Sequence, residues 1–438
     1  MSEIGPLEQP AEPVDPFKRL NIECMSFVLK YLTPGEVCRL KQVNRSWKQY
    51  ISSWIFEHGW LYHWPRLTKE LAPLDEQPRA KRYLELAKMI HNFTRGEATL
   101  LQHYQGTRLL TPAGIYVAWF EGDGVYWQLL GDTVSPRHKL PLPSRLVWMD
   151  ITIAINAAGG FCVHVDSPSH PVTFVASLKN GKAWQRSTNE VPYMIGQNKV
   201  YVYKPEPPTL GAYSLEAGTP VYMKLSTEDD IKLFKDSNSM IEVIQPDGTE
   251  RVISLVAGDP SNDSQHKSYR VAVVNGLDGE IVQNFYQDWS QNSLLSPASN
   301  GGFSFIGQPS LLSSIRVIET FSQQGGGFAK EQTEAIALED SACARILVEP
   351  STLIVIGYDE ETLYSFPLEE CSGSQVHEEV TRKVPITIDR CFRAICQKPI
   401  RLESLDGNID GVEFVGGGRF LVKATIDEPY DTTCIFQF

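Results

Sequence analysis

The sequence predicts a multidomain α plus all-β protein, in which a short N-terminal helical module precedes a large all-β domain of the β-propeller type. Three observations support this fold class. Apolar residues follow a helical period from Phe17 to about Phe93. After about Gly106 this period gives way to short runs rich in Val, Ile, Tyr, Phe and Trp. The chain of 438 residues is also too long for one ordinary domain.

The helical region is predicted to begin with three short helices joined by tight turns. Apolar residues at helical spacing predict a first helix that ends near Leu32. The stretch TPGE at residues 33–36 is a helix start, because Thr can cap the helix, Pro fits its first position and Glu can complete a capping box. A third helix is predicted to start near Asn44. After an aromatic-rich segment, a further helix is predicted over residues 78–93, with one packing face formed by Tyr83, Leu84, Ala87, Ile90 and Phe93.

The β region is predicted to contain roughly twenty or more strands and no convincing helix. Tight hairpins are indicated by four dipeptides that tolerate a positive φ angle: Asn180-Gly181, Asp247-Gly248, Asp278-Gly279 and Asp406-Gly407. At ~40–50 residues per blade, residues 106–438 would form about six to eight propeller blades. The repeat is weak and Trp-Asp strand endings are absent at regular spacing. Two tandem β-sandwiches are therefore the alternative architecture.

The charge of the chain is unevenly distributed. The formal net charge is −13, yet residues 101–438 carry 26 basic and 41 acidic residues, a net charge of −15. This balance argues against a nucleic-acid binder that neutralises phosphates and against a polybasic membrane-surface protein. If the partners of the β domain are proteins, basic surfaces on them would be favoured by electrostatic steering.

The cysteines and the N-terminal sequence predict an intracellular protein, cytoplasmic and/or nuclear. Eight cysteines are scattered without a Cys-x-x-Cys motif, which is typical of reduced thiols. The N-terminus lacks the basic start and apolar core of a secretory signal. Apolar runs fall short of the ~20 residues that a membrane-spanning helix needs.

An ordered pattern in the helical region resembles the F-box, a three-helix module that binds the adaptor of SCF ubiquitin ligases. The stretch LNIE at residues 20–23 opens the pattern, apolar pairs and a Thr-Pro helix start follow, and a Val-x-x-x-Trp step at residues 43–47 closes it. The resemblance implies these adaptor-binding residues: Pro16, Leu20, Ile22, Glu23, Val28, Leu29, Leu32, Pro34, Val37, Leu40, Val43 and Trp47. Asn21 stands where the family usually has Pro. Because Asn caps helices well, the helix start is expected to survive, although loss of the ring would weaken the adaptor contact.

The resemblance also implies a function and a division of the chain. Residues 1–16 would be a flexible leader, 17–56 the F-box, 57–105 a helical and aromatic linker, and 106–438 a propeller-like recognition domain. The protein would then be a non-catalytic substrate-recognition subunit of an SCF-type E3 ubiquitin ligase. Its partners would be the adaptor, through it the cullin and RING subunits, and an unknown protein substrate. The loops at 296–308 and 322–331 are candidate substrate contacts.

Two alternative functions remain open at the level of sequence. An F-box protein can act with the adaptor outside a ligase, and a propeller can be an enzyme or binding module with an internal helical cap. The sequence predicts no catalytic residues, no metal and no cofactor. It contains neither the GxxxxGK[ST] motif of a phosphate-binding loop nor the GxSxG motif of a nucleophilic serine. His58 and His63 are predicted to pack or to lie at a helix end rather than to bind a metal. Cys162, His164, Asp166 and His170 lie close together in the sequence, but the alternation of His164 and Asp166 predicts a solvated strand face rather than a metal site.

Overall fold

The structure is a computed structural model that describes residues 20–438. Within that range, its description leaves out residues 123, 132–134, 141, 143–150, 167–170, 180, 188, 236, 258–266, 299–300, 309–313, 339–344, 372–386, 403–406 and 428–429. The predicted leader, residues 1–16, lies outside the described residues. The chain divides into two compact units, Met1–His91 and Asn92–Phe438, which are described separately.

The first unit is helical, as the sequence predicts. Its elements are α1 (Ile22–Tyr31), α2 (Pro34–Leu40), α3 (Arg45–Trp54), a π-helical turn (Ile55–Gly59), α4 (Trp60–His63), a 3-10 turn (Pro65–Leu67), α5 (Thr68–Leu71) and the greater part of α6 (Glu76–Arg95). The three predicted helices and the predicted helix over 78–93 are thereby confirmed.

The caps of the first three helices explain where each begins. The side-chain oxygens of Asn21 and Asn44 accept hydrogen bonds from the backbone N–H three residues further on, at 2.7 and 2.9 Å. Thr33 and Glu36 form the predicted capping box, in which the Glu36 carboxylate accepts from the Thr33 N–H at 2.8 Å. This backbone hydrogen bond holds the pKa of Glu36 below its usual value. The Asn that replaces the family's Pro therefore does preserve the start of α1.

A small apolar core holds these helices together. Leu29, Val37 and Ile51 have no exposed surface, and the Trp54 indole N–H donates to the Ser26 hydroxyl at 2.8 Å. The prediction for Leu84 is wrong, because its side chain is 43% exposed. Tyr83 and Ala87, predicted for the same face, are buried together with Leu86, and position 84 lies about 100° around the helix from position 83.

The second unit is a seven-bladed β-propeller, which confirms the predicted fold class over tandem sandwiches. Among the described residues, blade 1 contains β2 (Arg108–Ala113), β3 (Tyr116–Glu121), β4 (Gly124–Leu129) and β5 (His138–Lys139). Blade 2 contains β6 (Ile151–Ile155), β7 (Gly160–Val165), β8 (Val172–Ser177) and β9 (Ala183–Ser187). Blade 3 contains β10 (Val191–Ile195), β11 (Lys199–Lys204), β12 (Thr209–Ser214) and β13 (Pro220–Leu225). Each of these blades is a four-stranded antiparallel sheet in chain order.

Blades 4 and 5 share one long strand. Blade 4 contains β14 (Ser237–Ile244), β15 (Glu250–Ala257), β16 (Lys267–Asn275) and the first half of β17 (Ile281–Pro297). Blade 5 contains the second half of β17 with β18 (Phe303–Gln308), β19 (Ile315–Gln324) and β20 (Gly327–Ala337). The chain thus passes from the outer strand of one blade to the inner strand of the next without leaving the extended conformation.

Blades 6 and 7 complete the ring, and the last one uses the first strand of the unit. Blade 6 contains β21 (Arg345–Glu349), β22 (Ile354–Tyr358), β23 (Leu363–Ser365) and β26 (Lys398–Pro399). Blade 7 contains β27 (Asn408–Gly416), β28 (Arg419–Asp427), β29 (Tyr430–Gln437) and β1 (Thr99–Gln105). β1 pairs antiparallel with β29, with Thr99 opposite Gln437. The propeller therefore begins before residue 106, since β1 lies in the segment predicted as a linker.

The turn before β1 requires a glycine. Gly96 has a φ of +67°, and a Cβ atom at this position would lie 2.5 Å from the carbonyl oxygen of Pro399. The N–H groups of Gly96 and Glu97 bond to the carbonyls of Phe93 and Asn92, which forms a Schellman cap at the end of α6. This cap directs the chain from the helix into β1.

Two elements differ from the sequence prediction. A helix, α7 (Glu228–Lys235), connects blades 3 and 4, and Thr227 and Asp230 cap it through reciprocal hydrogen bonds at 3.1 and 3.2 Å. Its eight residues are too few to reveal a helical period among so many strands. In addition, β24 (Leu368–Glu370) and β25 (Arg390–Ala394) form a hairpin inserted within blade 6 that extends the sheet of blade 5. β25 pairs in parallel with β20 and covers its edge.

Neighbouring blades are held together by apolar clusters. One cluster joins Phe120 of blade 1 to Phe161 and Phe174 of blade 2. Another joins Tyr201 of blade 3 to Val252 of blade 4. Because each blade buries its faces against its neighbours, the stability of one blade depends on the next.

A buried polar network also connects blades 3 and 4. The Lys199 ammonium donates to the Glu250 carboxylate and to the Gly276 carbonyl oxygen, the latter at 2.8 Å. The Tyr201 hydroxyl donates to the Glu242 carboxylate at 3.0 Å, and burial raises the pKa of Glu242. Lys199 is only 8% exposed, so its charge depends on these partners.

The antiparallel order gives the propeller two distinct faces. We call the face where the first and third strands of each blade begin the upper face, and the opposite one the lower face. The candidate contact loops are only partly loops. The connection between β17 and β18 lies on the lower face, but residues 303–308 are the buried strand β18, so the prediction of a loop there is wrong. Residues 322–331 form the lower-face end of the β19–β20 hairpin. Residues 299–300 lie outside the described residues. No helix in the described part of the chain is long and apolar enough to cross a membrane.

Candidate functional site

The helical unit exposes an unusual number of large apolar side chains for its size. The most exposed are Ile22 and Tyr31, each at 70%, and Phe27 at 61%. Other apolar residues in the first three helical segments are also exposed: Leu20, Val28 and Val43. Exposed apolar groups that recur on one short module indicate a surface that a partner covers.

A cleft of about 560 Å³ lies beside this surface, between α1 and the segment from α3 to α4. Ile22 and Phe27 line one side, and Tyr50 and Tyr62 line the other. The ammonium of Lys30 lies 4.7 Å from the centre of the Tyr62 ring. This combination of aromatic rings with a few charged groups is typical of protein-binding surfaces.

Contacts between α1 and α3 fix the shape of the cleft. The Tyr50 hydroxyl donates to the Ile22 carbonyl oxygen at 3.1 Å, and the Trp54–Ser26 hydrogen bond lies deeper. Phe27 and Tyr31 pack edge to face at 4.9 Å between ring centres. These two aromatic residues are not among the predicted adaptor-binding residues, although their spacing of four residues places them on one helix face.

The predicted adaptor-binding residues fall into three groups by exposure. Leu20, Ile22, Glu23, Val28 and Val43 are exposed, and Leu32, Pro34, Leu40 and Trp47 are half-buried. Leu29 and Val37 are completely buried in the unit's own core. These two residues therefore hold the helices together, and a partner could not contact them without rearrangement. Pro16 lies outside the described residues, and the adaptor contacts of the others stay a prediction.

Comparison with protein families decides what this module is. The family described as F-box domain matches residues 17–58. Residues 17–58 are an F-box domain. The match covers the predicted segment, 17–56, and continues two residues further. The F-box thus comprises α1 to α3, the capped helix starts and most of the exposed apolar surface described above.

Comparison with whole proteins adds only general similarity. No curated protein matches the chain. Solved structures that match include Hsv2 of Kluyveromyces lactis, with 7% identity over 73% of this chain and 90% of that one and a TM-score of 0.39. A Lactobacillus plantarum protein matches with 14% identity over 73% of this chain and 89% of that one, with a TM-score of 0.38. A prolyl endopeptidase matches with 12% identity over 88% and 51% of the two chains, with a TM-score of 0.39.

The residues considered for metal binding have structural roles in the described part of the chain. His63 packs against Trp54 and Trp64, and its Nδ1 atom lies 2.6 Å from the Tyr83 hydroxyl. His164 is 2% exposed, which contradicts the predicted solvated strand face, and its Nδ1 atom lies 2.9 Å from the Thr173 hydroxyl. Among the described residues, no group of three His, Cys, Asp or Glu side chains could hold a metal ion. His170 lies outside this set.

We expect the helical unit to lose stability as the pH falls from about 6.5 to about 4. Burial lowers the pKa of His63 from 6.5 to about 4. In this range the unfolded chain binds a proton that the folded chain does not, so stability is fully present above 6.5 and declines below it. The shift corresponds to about 3 kcal/mol. Thermal unfolding followed by helical circular dichroism at several pH values measures the effect.

Two substitutions in the same unit test this assignment. His63→Gln should remove most of the additional loss of stability in this pH range. His58→Gln is the matched control and should retain it, because the His58 side chain is 52% exposed. Identical pH profiles for the wild type and His63→Gln would show that His63 does not cause the effect.

Proposed function

We propose that the protein is the substrate-recognition subunit of an SCF-type E3 ubiquitin ligase, which binds the adaptor through its F-box and a protein substrate through its propeller. The observation that carries the proposal is the presence of an F-box domain with an exposed apolar surface in the same chain as a seven-bladed propeller. Cullin and RING subunits would join through the adaptor. The role requires no chemistry from this chain, because proximity to the ubiquitin-charged enzyme accelerates the transfer.

The energetics of the F-box support adaptor binding. A module of about forty residues buries little apolar surface by itself and is only marginally stable. Each large side chain that a partner covers contributes about 1.5–3 kcal/mol relative to full exposure. Covering several of the exposed residues, Ile22, Phe27 and Tyr31 among them, would therefore be strongly favourable. A partner with a complementary apolar groove fits this surface best.

The propeller supports the role of substrate reader. Its blades form a rigid ring whose connecting loops are gathered on two faces, which is a common arrangement for binding other molecules. The acidic balance of residues 101–438 favours substrates with basic surfaces.

Co-expression of the full chain with the SCF adaptor, followed by size-exclusion chromatography, tests adaptor binding. The wild type should elute with the adaptor. Ile22→Glu with Val43→Glu should weaken this binding by about a hundredfold or more, because each carboxylate would be buried without a partner. The two side chains are 70% and 57% exposed, so the fold should survive.

A matched control separates a specific effect from a general one. Leu277→Glu with Val282→Glu introduces the same charges at two exposed apolar positions of the propeller, and this variant should keep the adaptor. A wild type that elutes alone, or a control that loses the adaptor equally, would contradict adaptor binding through the F-box. Adding the cullin and RING subunits tests the ligase role, since an F-box protein that acts outside a ligase would retain the adaptor without cullin.

A further inference from the structure

The upper face of the propeller contains two adjoining cavities. The larger, of about 780 Å³, lies among blades 7, 1 and 2. The smaller, of about 350 Å³, lies between blades 6 and 7. Asp410, on the inner strand β27, lines both cavities. We call these two cavities, which share Asp410 as a lining residue, the Asp410 basin.

An irregularity in the inner strand of blade 1 shapes the larger cavity. In β2, Arg108 is paired with Phe120 and Thr111 with Ala118, so two residues of β2 lie opposite one residue of β3. Leu109, the first residue of this bulge, has a φ of +54° and is 37% exposed. A bulky residue in the left-handed region is strained, and such strain commonly persists where the side chain has a function.

A buried hydroxyl in this cavity lacks a partner. Thr107 lines the cavity and is only 5% exposed, and its Oγ1 atom makes no hydrogen bond within the described part of the structure. A buried hydroxyl without a partner costs about 1–3 kcal/mol. The aliphatic side chains of Ile151 and Ile153 also line the cavity. A ligand with an aliphatic group would suit the aliphatic part of this lining.

Carboxylates dominate the smaller cavity. Asp359, Glu360 and Asp410 line it, and the Arg345 guanidinium donates to the backbone carbonyl oxygen of Asp410 at 3.0 Å. The Asp359 carboxylate accepts hydrogen bonds from two backbone N–H groups of its own turn, at 2.7 and 2.9 Å. The Asp410 carboxylate accepts from the Thr425 hydroxyl at 2.6 Å. Glu360 and Asp410 remain exposed to solvent, so a cation can approach them.

The cations near the larger cavity do not reverse this charge pattern. Arg108 and Lys423 line that cavity, and Lys423 forms an ion pair with Glu413 at 2.7 Å. The basin therefore presents an acidic end in blades 6 and 7 and a mixed aliphatic and hydroxyl end in blades 7, 1 and 2. The net charge of −15 over residues 101–438 would attract a basic ligand to this face.

We propose that the Asp410 basin binds an unphosphorylated protein segment in which a Lys or Arg lies close to an aliphatic residue. The basic side chain lies between Glu360 and Asp410, and the aliphatic side chain packs against Leu109 and Ile153. This inference rests on the proposed function, since it names the class of substrate that the propeller would read. A phosphorylated or acidic segment would instead be repelled by the carboxylates.

Fluorescein-labelled peptides and the full chain test the proposal by fluorescence anisotropy. The panel places one Lys and one Leu at every spacing in a Gly-Ser background, and two matched panels replace Lys by Glu or Leu by Ser. We expect the Lys–Leu panel to bind best at a short spacing and both matched panels to bind more weakly. Binding should also weaken as salt is added. Equal or stronger binding of the Glu–Leu panel would overturn the proposal.

Variants locate the site. Glu360→Gln with Asp410→Asn neutralises two exposed carboxylates that line the smaller cavity, and we expect about fivefold weaker binding. Glu216→Gln with Glu280→Gln makes the same change of charge at lower-face turns and should leave binding unchanged. Leu109→Gly relieves the positive φ, so it should weaken binding severalfold without lowering the melting temperature. Equal effects of the two carboxylate pairs would place the peptide elsewhere.

The same preparations distinguish failure of this inference from failure of the proposed function. Each variant is also assayed for elution with the SCF adaptor, which depends on the F-box alone. Adaptor binding without selective Lys–Leu binding would overturn the basin and leave the proposed function standing. Selective peptide binding without adaptor binding would overturn the proposed function and leave the basin as a peptide site of a different kind of protein.

Discussion

A fragment that begins at residue 106 is expected not to fold, whereas one that begins at residue 92 is expected to form a stable propeller. The difference is strand β1, which supplies the outer strand of blade 7 and pairs with β29. Without β1 the ring would be closed only by packing, and the edge of β29 would be exposed. The shorter fragment corresponds to the domain boundary that the sequence alone suggests.

The expected effect is large because β1 contributes to the core as well as to the sheet. Tyr104 has no exposed surface and packs against Trp119, with 5.0 Å between the ring centres. Removing a buried aromatic side chain costs about 3–5 kcal/mol, before any loss of strand pairing is counted. Since whole domains are stable by only about 5–15 kcal/mol, this loss together with the loss of the β1–β29 pairing is expected to unfold the unit.

Size-exclusion chromatography and tryptophan fluorescence of the two purified fragments measure the difference. The fragment 92–438 should elute as a compact species with a cooperative thermal transition, and the fragment 106–438 should aggregate or lack a transition. A full chain carrying Tyr104→Ala serves as an intermediate case, with a lowered melting temperature and an intact fold. A stable, compact fragment 106–438 would show that β1 is dispensable for ring closure.

Lys199→Met is expected to destabilise the propeller by about 3–5 kcal/mol. Lys199 of blade 3 is paired with Glu250 of blade 4, and both side chains are about nine-tenths buried, at 10% and 11% exposure. Removing the lysine leaves the Glu250 carboxylate buried, with the Asn198 amide donating to it at 3.2 Å. An uncompensated buried charge of this kind is among the most costly single changes.

A double variant shows whether the cost comes from the stranded charge. Lys199→Met with Glu250→Met should recover most of the lost stability, because two apolar side chains of similar volume replace the ion pair. Lys182→Met is the matched control: Lys182 pairs with Glu216, both side chains are more than half exposed, and the cost should stay below about 1 kcal/mol. Urea unfolding followed by tryptophan fluorescence measures all three. A double variant no more stable than Lys199→Met would contradict this explanation.

The helical half of the fold could be predicted closely because its signals are local. The cap at Asn21, the TPGE helix start and the cap at Asn44 act within one helical turn, and each begins a helix where the sequence predicts one. The exception, Leu84, concerns which face of a helix is buried. That choice depends on the surrounding helices and is not written in the local sequence.

The propeller could be predicted as a class but not in its closure or its insertions. Strands were recognised from their composition and turns, which are local properties. The pairing of β1 with β29 and of β20 with β25 joins segments far apart in the chain, and neither pairing leaves a local signal. β1 also contains Gln102, His103 and Gln105, so its sequence lacks the apolar texture by which other strands were identified.

The candidate sites divide in the same way. The F-box was recognised from an ordered motif, yet the motif does not distinguish Leu29 and Val37, which are interior, from Ile22 and Val43, which are exposed. The Asp410 basin gave no sequence signal. Its residues come from four blades, and the distortion at Leu109 becomes visible only as a dihedral angle.

The pairing of Thr99 with Gln437 also sets the order of events during protein synthesis. The F-box and its neighbouring helices emerge from the ribosome before the propeller and belong to their own compact unit. β1 emerges next, but its partner β29 follows all the other strands of the propeller, so the ring stays open until β29 has left the ribosomal tunnel. A nascent chain would therefore present a folded F-box while its propeller is still incomplete. Adaptor could be recruited at that stage, before the recognition domain is able to hold a substrate.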